Sequence, residues 1–154
     1  MDTKKILFDP QTRVAPLGLI AMPGASELGE KVNNYLVEWG NSQGMNKDSY
    51  LIDADCPRFA SGDGKGLIKS TIRGNDLFIL CDVGNYNCKY NMFGQQNSMS
   101  PDDHFQDLKR LISAIGGKAK RLTVIMPMLY EGRQHKRTSR ESLDCAMALT
   151  ELAN

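Results

Sequence analysis

A short apolar run followed at once by positive charge is the feature of this sequence best suited to chemistry. Residues 122–128 are mostly apolar, and residues 133–140 contain no acid but four cations: Arg133, Lys136, Arg137 and Arg140. Open α/β sheets bind ligands at the carboxyl ends of their strands, which is where such a loop would lie. Arginine offers forked donors that match phosphate oxygens, and lysine adds a mobile point charge, so the segment favours a phosphate or polyphosphate ligand. The alternatives are a solvated loop and a nonspecific nucleic-acid patch.

A glycine-rich loop at residues 57–66 carries a second candidate site. Three alternate glycines follow Phe59 closely, so a ligand could approach the backbone while the ring stacks on a nucleotide base. Asp63 could accept a hydrogen bond from an exocyclic amine of that base. The spacing is not that of a Walker phosphate loop. The alternative is a hairpin turn with Phe59 packed into the core.

Composition argues against several classes of function. With 154 residues, of which 41% are hydrophobic, the chain can bury a real core, and its net charge of +1 argues against a dedicated nucleic-acid binder. No apolar run is long enough to span a membrane. The four cysteines form no C-x-x-C pair and no secretory signal is visible, so a reducing, cytoplasmic location is expected. The two histidines are far apart, which argues against a zinc site, and His104 is expected on a helix surface.

Alternating strands and helices must position the two loops. Strands are predicted at residues 17–22, 50–53, 77–81 and 122–128, with further extended chain at 67–72. Helices are predicted from Ser26 to Gly40, from the Ser100 cap to Gly116, and from a capping box of Thr138 and Glu141. This alternation predicts an α/β fold, with a mostly parallel sheet and helices on both faces.

Two segments fall outside this alternation. Residues 1–16 contain two prolines and little periodicity, and they are expected to form an N-terminal arm. Residues 84–99 are polar and aromatic without periodicity, which is typical of a functional or ordering loop.

Taken together, these segments resemble the N-terminal domain of ribose-phosphate pyrophosphokinase, also called phosphoribosyl pyrophosphate synthetase. The resemblance covers residues 17–154, and its anchors occur in order at residues 58–63, 72–76, 101–103 and 130–137. It implies a phosphoribosyltransferase-like α/β N-terminal domain. It also implies that the native protein continues past Asn154 into a C-terminal domain that is absent from this chain.

The resemblance implies a reaction in which the diphosphoryl group of ATP passes to C1 of ribose 5-phosphate, giving phosphoribosyl pyrophosphate and AMP. Mg²⁺ is the implied cofactor, with its ligands outside this chain, and no catalytic residue or metal ligand is expected within it. A homo-oligomer is implied because the family shares its site between subunits. ADP and phosphate are implied as effectors, whereas nucleic acid and membrane are not expected as partners.

The resemblance also implies roles for individual residues. Arg133 and Gln134 would hold ATP from their own subunit, with Lys136 and Arg137 as further polyphosphate contacts. Phe59 and Asp63 would reach the adenine of a neighbouring subunit's ATP. A regulatory phosphate site is implied near Arg73.

This chain also departs from the family pattern. His135 and Ser61 stand where the family commonly has acids, and residues 84–99 resemble an insertion beside the ATP loop. These departures keep a second interpretation open, namely a non-catalytic regulatory subunit or nucleotide-binding module of the same fold. In either case the chain alone is expected to be inactive, because it would hold half of an active site.

Overall fold

A three-stranded parallel sheet forms the centre of the molecule in the computed structural model, which describes residues 13–153. In chain order the strands are β1 (Leu17–Ala21), β2 (Ala54–Asp55), β3 (Leu67–Ile68), β4 (Asp76–Leu80), β5 (Lys89–Met92), β6 (Gln95–Ser98) and β7 (Arg121–Ile125). The α-helices are α1 (Ser26–Asn41), α2 (Pro101–Ile115) and α3 (Asp144–Ala153). The central sheet has the order β1–β4–β7, with all neighbours parallel. Most of the expected N-terminal arm, residues 1–12, lies outside the described residues.

Both faces of the central sheet are covered by helices, as predicted. Leu77 and Ile79 of β4 are fully buried in a cluster with apolar residues of α2 and Ala148 of α3. Leu80 belongs to a second cluster, with Leu19 of β1 and the side of α1 that carries Leu36. Because side chains of a strand alternate between its two faces, β4 contributes to both clusters. The α/β prediction is therefore confirmed.

The second predicted strand, at 50–53, is wrong in extent. Leu51 makes a single parallel bridge with Leu19 of β1, and the extended chain at 67–72 forms only the two-residue strand β3, antiparallel to β2. These segments are too short for a ladder. The sheet register is set instead by β1, β4 and β7, whose five-residue runs pair completely.

The helix signals differ in how well they locate helix ends. Ser100 caps α2 as predicted, in a reciprocal capping box with Asp103, and Gly116 ends that helix in the left-handed conformation at φ 55°. For α1, Ser26 is the first helical residue but its side chain does not cap, and the helix runs through Gly40 to Asn41. A glycine such as Gly40 therefore does not by itself end a helix that is packed against the sheet.

The start predicted for the last helix is wrong. Thr138 donates its backbone N–H to Glu141 at 3.2 Å, which is one half of a capping box, but α3 begins later, at Asp144. The intervening residues form bends and coil. The basic segment is consequently longer and more open than the sequence pattern predicts.

The segment at 84–99, predicted to be a functional or ordering loop, contains regular structure that the sequence did not reveal. Residues 89–98 form an antiparallel hairpin of β5 and β6, joined by the two-residue turn Phe93-Gly94. Both turn residues have positive φ, 50° and 80°, which is the geometry of a type I′ turn. The alternation in β5 covers only the four residues KYNM, and β6 is wholly polar, so the pattern was too short to reveal the pair.

Candidate functional site

A cavity of about 670 Å³ lies where β4 and β7 end, at the carboxyl edge of the central sheet. Its walls come from the chain after each of these strands and from the start of α2: Val83, Gly84, Tyr86, Pro101, Met128, Leu129, Tyr130, Glu131, Gly132 and Arg133. The wall is largely apolar and aromatic, with one cation, Arg133, and one acid, Glu131, among the lining residues. A ligand with a flat ring and an anionic group matches that distribution.

The basic loop begins from a fixed point at Tyr130. The Tyr130 ring stacks on Phe105 of α2, with ring centroids 4.2 Å apart, and its hydroxyl donates to Asp102 at 2.8 Å. Burial, reinforced by that carboxylate, raises the pKa of Tyr130. The neutral phenol therefore ties the loop to the first turn of α2 and does not serve as a base near neutral pH.

Beyond that point the loop turns sharply and presents its cations to solvent. Glu131 has φ 53°, and a short 3-10 helix, Gly132–Gln134, follows it. Arg133 is exposed on the cavity border, as the sequence predicted for a polyphosphate contact. The buried Oε1 of Gln134 accepts no hydrogen bond from residues 13–153. The exposed Arg133 side chain is thus available to a ligand, whereas Gln134 carries a buried, unpaired acceptor and is not among the described residues that line the cavity.

The other two predicted polyphosphate contacts are less closely associated with this cavity. Lys136 and Arg137 are exposed, and Arg137 borders a separate shallow groove along α3 with Leu143 and Met147. Neither belongs to the described residues that line the cavity beside Arg133.

The glycine-rich loop is a tight turn whose aromatic residue points outward. Arg58 and Gly64 form an antiparallel bridge, and the Phe59 N–H donates to the Asp63 carbonyl at 2.7 Å. The Phe59 side chain is 56% exposed, so the alternative with this ring in the core is wrong. One Asp63 carboxylate oxygen accepts from the Ser61 hydroxyl at 2.8 Å. The serine that replaces the usual family acid therefore orients the carboxylate.

Two contacts that the sequence did not reveal hold this loop on α2. The buried Arg58 guanidinium donates to Asp107 at 2.9 Å, and Asp107 also accepts from Arg110 at 2.6 Å. Gly66 passes so close to the helix that a Cβ there would lie 2.3 Å from the carbonyl oxygen of Arg110. Asp107 falls on the apolar side of α2, and that position was the available signal of a buried partner.

His104 is buried, contrary to the expectation of a surface position. It is 1% exposed, and its Nε2–H donates to the Asn85 carbonyl at 2.9 Å. Asn85 in turn donates its side-chain amide to the Gly24 carbonyl at 2.8 Å. The histidine thus joins the chain after β4 to the start of α2 and has a structural role.

Arg73 lies at the other end of the sheet. It is in the turn that precedes β4, is exposed, and borders a shallow depression that also includes Ser70, Thr71 and Lys118. The strands separate it from Arg133. The structure therefore gives two cationic surfaces at opposite sheet edges, and a third exposed feature at Phe59.

A parallel sheet with helices on both faces defines an α/β domain, and its arginine-bearing loop lies at the carboxyl edge of the sheet. The family model described as the N-terminal domain of ribose phosphate pyrophosphokinase matches residues 17–154, and the chain belongs to this family. The resemblance found in the sequence is therefore confirmed.

Known relatives support the same assignment. Ribose-phosphate pyrophosphokinase 1 of Schizosaccharomyces pombe is 32% identical over 97 residues, which is 62% of this chain and 20% of that protein. The crystal structure of phosphoribosylpyrophosphate synthetase from Mycobacterium smegmatis matches with a TM-score of 0.65 and 21% identity, over 90% of this chain and 39% of that one. The structural match supports the fold. This chain spans well under half the length of either relative.

Within the described chain, no group of three or more histidine, cysteine, aspartate or glutamate side chains is placed to hold a metal ion. Asp102, at the start of α2, already accepts a hydrogen bond from Tyr130. None of the helices described is long and apolar enough to cross a bilayer.

Proposed function

We propose that this chain is the ATP-side half of a ribose-phosphate diphosphokinase. The complete enzyme would transfer the diphosphoryl group of ATP to C1 of ribose 5-phosphate and release phosphoribosyl pyrophosphate and AMP. One observation carries the proposal: in a chain of this family, the exposed Arg133 borders an apolar cavity at the carboxyl edge of the parallel sheet. Ligands bind at that edge in open α/β sheets.

Arg133 and Gln134 hold the bound ATP in this proposal. A guanidinium makes charge-assisted, forked hydrogen bonds to phosphate oxygens, and it stays charged at every physiological pH. The Oε1 of Gln134 is buried and unpaired, so a shift of this side chain would be needed for it to accept a hydrogen bond from the nucleotide. Lys136 and Arg137 are exposed cations further along the loop. In this proposal they attract the polyphosphate electrostatically and do not hold it in the cavity.

Phe59 and Asp63 contact adenine from a neighbouring copy of the protein. Their exposure on a loop that does not line the Arg133 cavity supports a contact made across a subunit boundary. The proposal therefore requires a homo-oligomer. In this proposal the effector, phosphate or ADP, binds at Arg73, at the opposite end of the sheet from Arg133.

Phosphoryl-type transfer depends chiefly on placement and on neutralised charge, and less on covalent help from the protein. This chain supplies placement of ATP. Mg²⁺ neutralises phosphate charge when bound, and its ligands, like the ribose 5-phosphate site, are assigned to residues outside this chain. The location proposed for the enzyme is the cytoplasm.

A regulatory subunit of the same fold is the second candidate, and one observation favours it. The hairpin of β5 and β6 packs on the Phe59 loop, because the Phe93 N–H donates to the Ala60 carbonyl at 2.7 Å. The hairpin packs on the loop that would face the nucleotide. Such an addition would change a site that once served catalysis into one that only binds.

The test is made on the uncut protein that contains residues 1–154, supplied with ATP, Mg²⁺ and ribose 5-phosphate. AMP that forms only when ribose 5-phosphate is present supports the diphosphokinase. ATP binding without AMP, under conditions where a known family enzyme turns over, supports the regulatory subunit. Absence of both activity and nucleotide binding would contradict both candidates.

A further inference from the structure

The hairpin tip and the glycine-rich loop form one continuous surface. The Phe93 N–H donates to the Ala60 carbonyl, next to Phe59, at 2.7 Å. Met92 packs against Gly62 so closely that a Cβ on the glycine would lie 2.8 Å from the methionine sulfur. A backbone hydrogen bond and a close packing contact therefore fix the position of one loop relative to the other.

Two large aromatic side chains project from this joined surface. Phe59 is 56% exposed and Phe93 is 77% exposed. Phe59 directly precedes Ala60, whose carbonyl accepts the hydrogen bond from Phe93, so the backbones of the two aromatic residues lie close together. Exposure of two aromatic side chains on one surface is unfavourable in water unless something packs on them.

Phe93 also occupies a backbone conformation that suits a different residue. Its φ of 50° is in the left-handed region, which is unusual for a bulky residue. Type I′ turns strongly prefer asparagine or glycine at this position, and the second turn residue is the expected Gly94. The ring is thus neither buried nor favoured by the turn. A strained residue that stability does not explain is a candidate for a functional contact.

We infer that Phe93 joins Phe59 to form a two-ring platform for the purine base of the nucleotide, with Asp63 as the acceptor beside it. This inference rests on the proposed function, because that function places a base at Phe59. Base–aromatic stacking tolerates different bases, whereas a carboxylate acceptor favours one with an exocyclic amine. The hairpin therefore adds to base recognition and makes no contact with the phosphates.

The decisive variant is Phe93→Asn in the uncut protein. Asparagine suits the left-handed turn position, so the free energy of unfolding should stay equal or increase while the ring is lost. The loss of one stacking contact should raise the KM for ATP roughly tenfold. The KM for ribose 5-phosphate and the inhibition constant of tripolyphosphate, which has no base, should not change. Gln96→Ala, an exposed change in the same hairpin, is the matched control and should leave all these quantities unchanged.

An unchanged KM for ATP in Phe93→Asn, alongside an increased KM in Phe59→Ala, would remove Phe93 from the base site and leave the proposed function standing. An equal loss of affinity for ATP and tripolyphosphate would also overturn the inference, because it would indicate a general distortion. If the wild-type protein forms no AMP, the same comparison is made on dissociation constants for ATP and tripolyphosphate. A base-specific loss of binding then supports the platform although the diphosphokinase has failed.

Discussion

The Arg58 guanidinium lies 2.9 Å from Asp107, and both side chains are almost completely buried, at 8% and 5% exposed. This pair joins the glycine-rich loop to the second turn of α2. Tyr90 of the hairpin lies over the same guanidinium, 4.8 Å from its ring centroid to the carbon Cζ of Arg58. One arginine thus holds three segments together, and it is directly followed in the chain by the exposed Phe59.

Arg58→Met should destabilise the protein by about 3 kcal/mol, because it leaves a buried carboxylate with one cation instead of two. The free energy of unfolding is obtained from urea denaturation followed by circular dichroism. Lys31→Met is the matched control, since Lys31 pairs with Glu27 on the exposed face of α1, where solvent screening leaves the pair little effect on stability. Equal losses from the two variants would show that burial adds nothing to the Arg58 pair.

The loss in Arg58→Met should depend on pH. Burial raises the pKa of Asp107 above its ordinary value of 3.8, despite two arginine partners. A raised carboxyl pKa stabilises the folded state below pH 3.8, and that contribution is lost as the pH rises through the folded-state pKa. Removing one cation raises this pKa further. The difference in unfolding free energy between wild type and variant should therefore grow as the pH rises above 3.8 and narrow below it.

This pH dependence is measured by urea denaturation in a series of buffers between about pH 3 and 8, a range that spans the usual titration of carboxyl groups. Asp107→Asn removes the titrating group and provides the control. The difference between Asp107→Asn and the double variant Arg58→Met/Asp107→Asn should vary much less with pH. If the difference in unfolding free energy between wild type and Arg58→Met were instead largest at acid pH, its pH dependence would have the opposite sign, and titration of Asp107 would not explain it.

Gly66→Ala should destabilise the protein by about 2 kcal/mol, within the range found for overpacked sites. The added methyl group would meet the α2 backbone at Arg110, which cannot move aside as a side chain can. Gly132→Ala is the control, because its added carbon would meet Leu129 at 3.6 Å, an ordinary contact distance. Thermal unfolding compares the two. Equal melting temperatures for the two variants would show that the α2 backbone moves away from the added methyl group with little cost.

Arg133→Ala in the uncut protein should raise the KM for ATP by more than tenfold, because a charge-assisted phosphate contact is lost. Lys120→Ala removes the same charge from an exposed site before β7, at the other sheet edge, and should change this KM little. Steady-state kinetics with saturating ribose 5-phosphate gives both values. Equal effects of the two substitutions would indicate a general effect of net charge, and Arg133 would then have no specific contact with ATP.

The sequence predicted well wherever local chemistry and the fold agree. Apolar runs fixed the three paired strands, and Ser100 with Asp103 located the start of α2, because the cap satisfies backbone groups within a single turn. The sequence also predicted that Arg133 lies beyond the carboxyl end of β7, because it follows that strand in the chain. These features depend on neighbours in the chain, which a single sequence displays.

The errors came from contacts between distant residues. The hairpin of β5 and β6 has one wholly polar strand and an alternation of only four residues in the other, and its turn contains Phe93 where Asn-Gly would have indicated it. The buried His104 donates a hydrogen bond to the Asn85 carbonyl, a partner that helical spacing cannot reveal. Thr138 and Glu141 are joined by a hydrogen bond without starting a helix, since residues 138–142 are exposed and the helix begins only at Asp144.

The placement of Arg73 and Arg133 at opposite sheet edges has a consequence for how two anions would influence each other. β4 is five residues long, so about 16 Å of strand separates the two ends, and one phosphate group cannot touch both arginines. In the proposed function, a phosphate at Arg73 and a nucleotide at Arg133 would be bound at the same time. Any influence between them would act at a distance, and thermodynamic reciprocity then requires each anion to change the affinity of the other by the same factor.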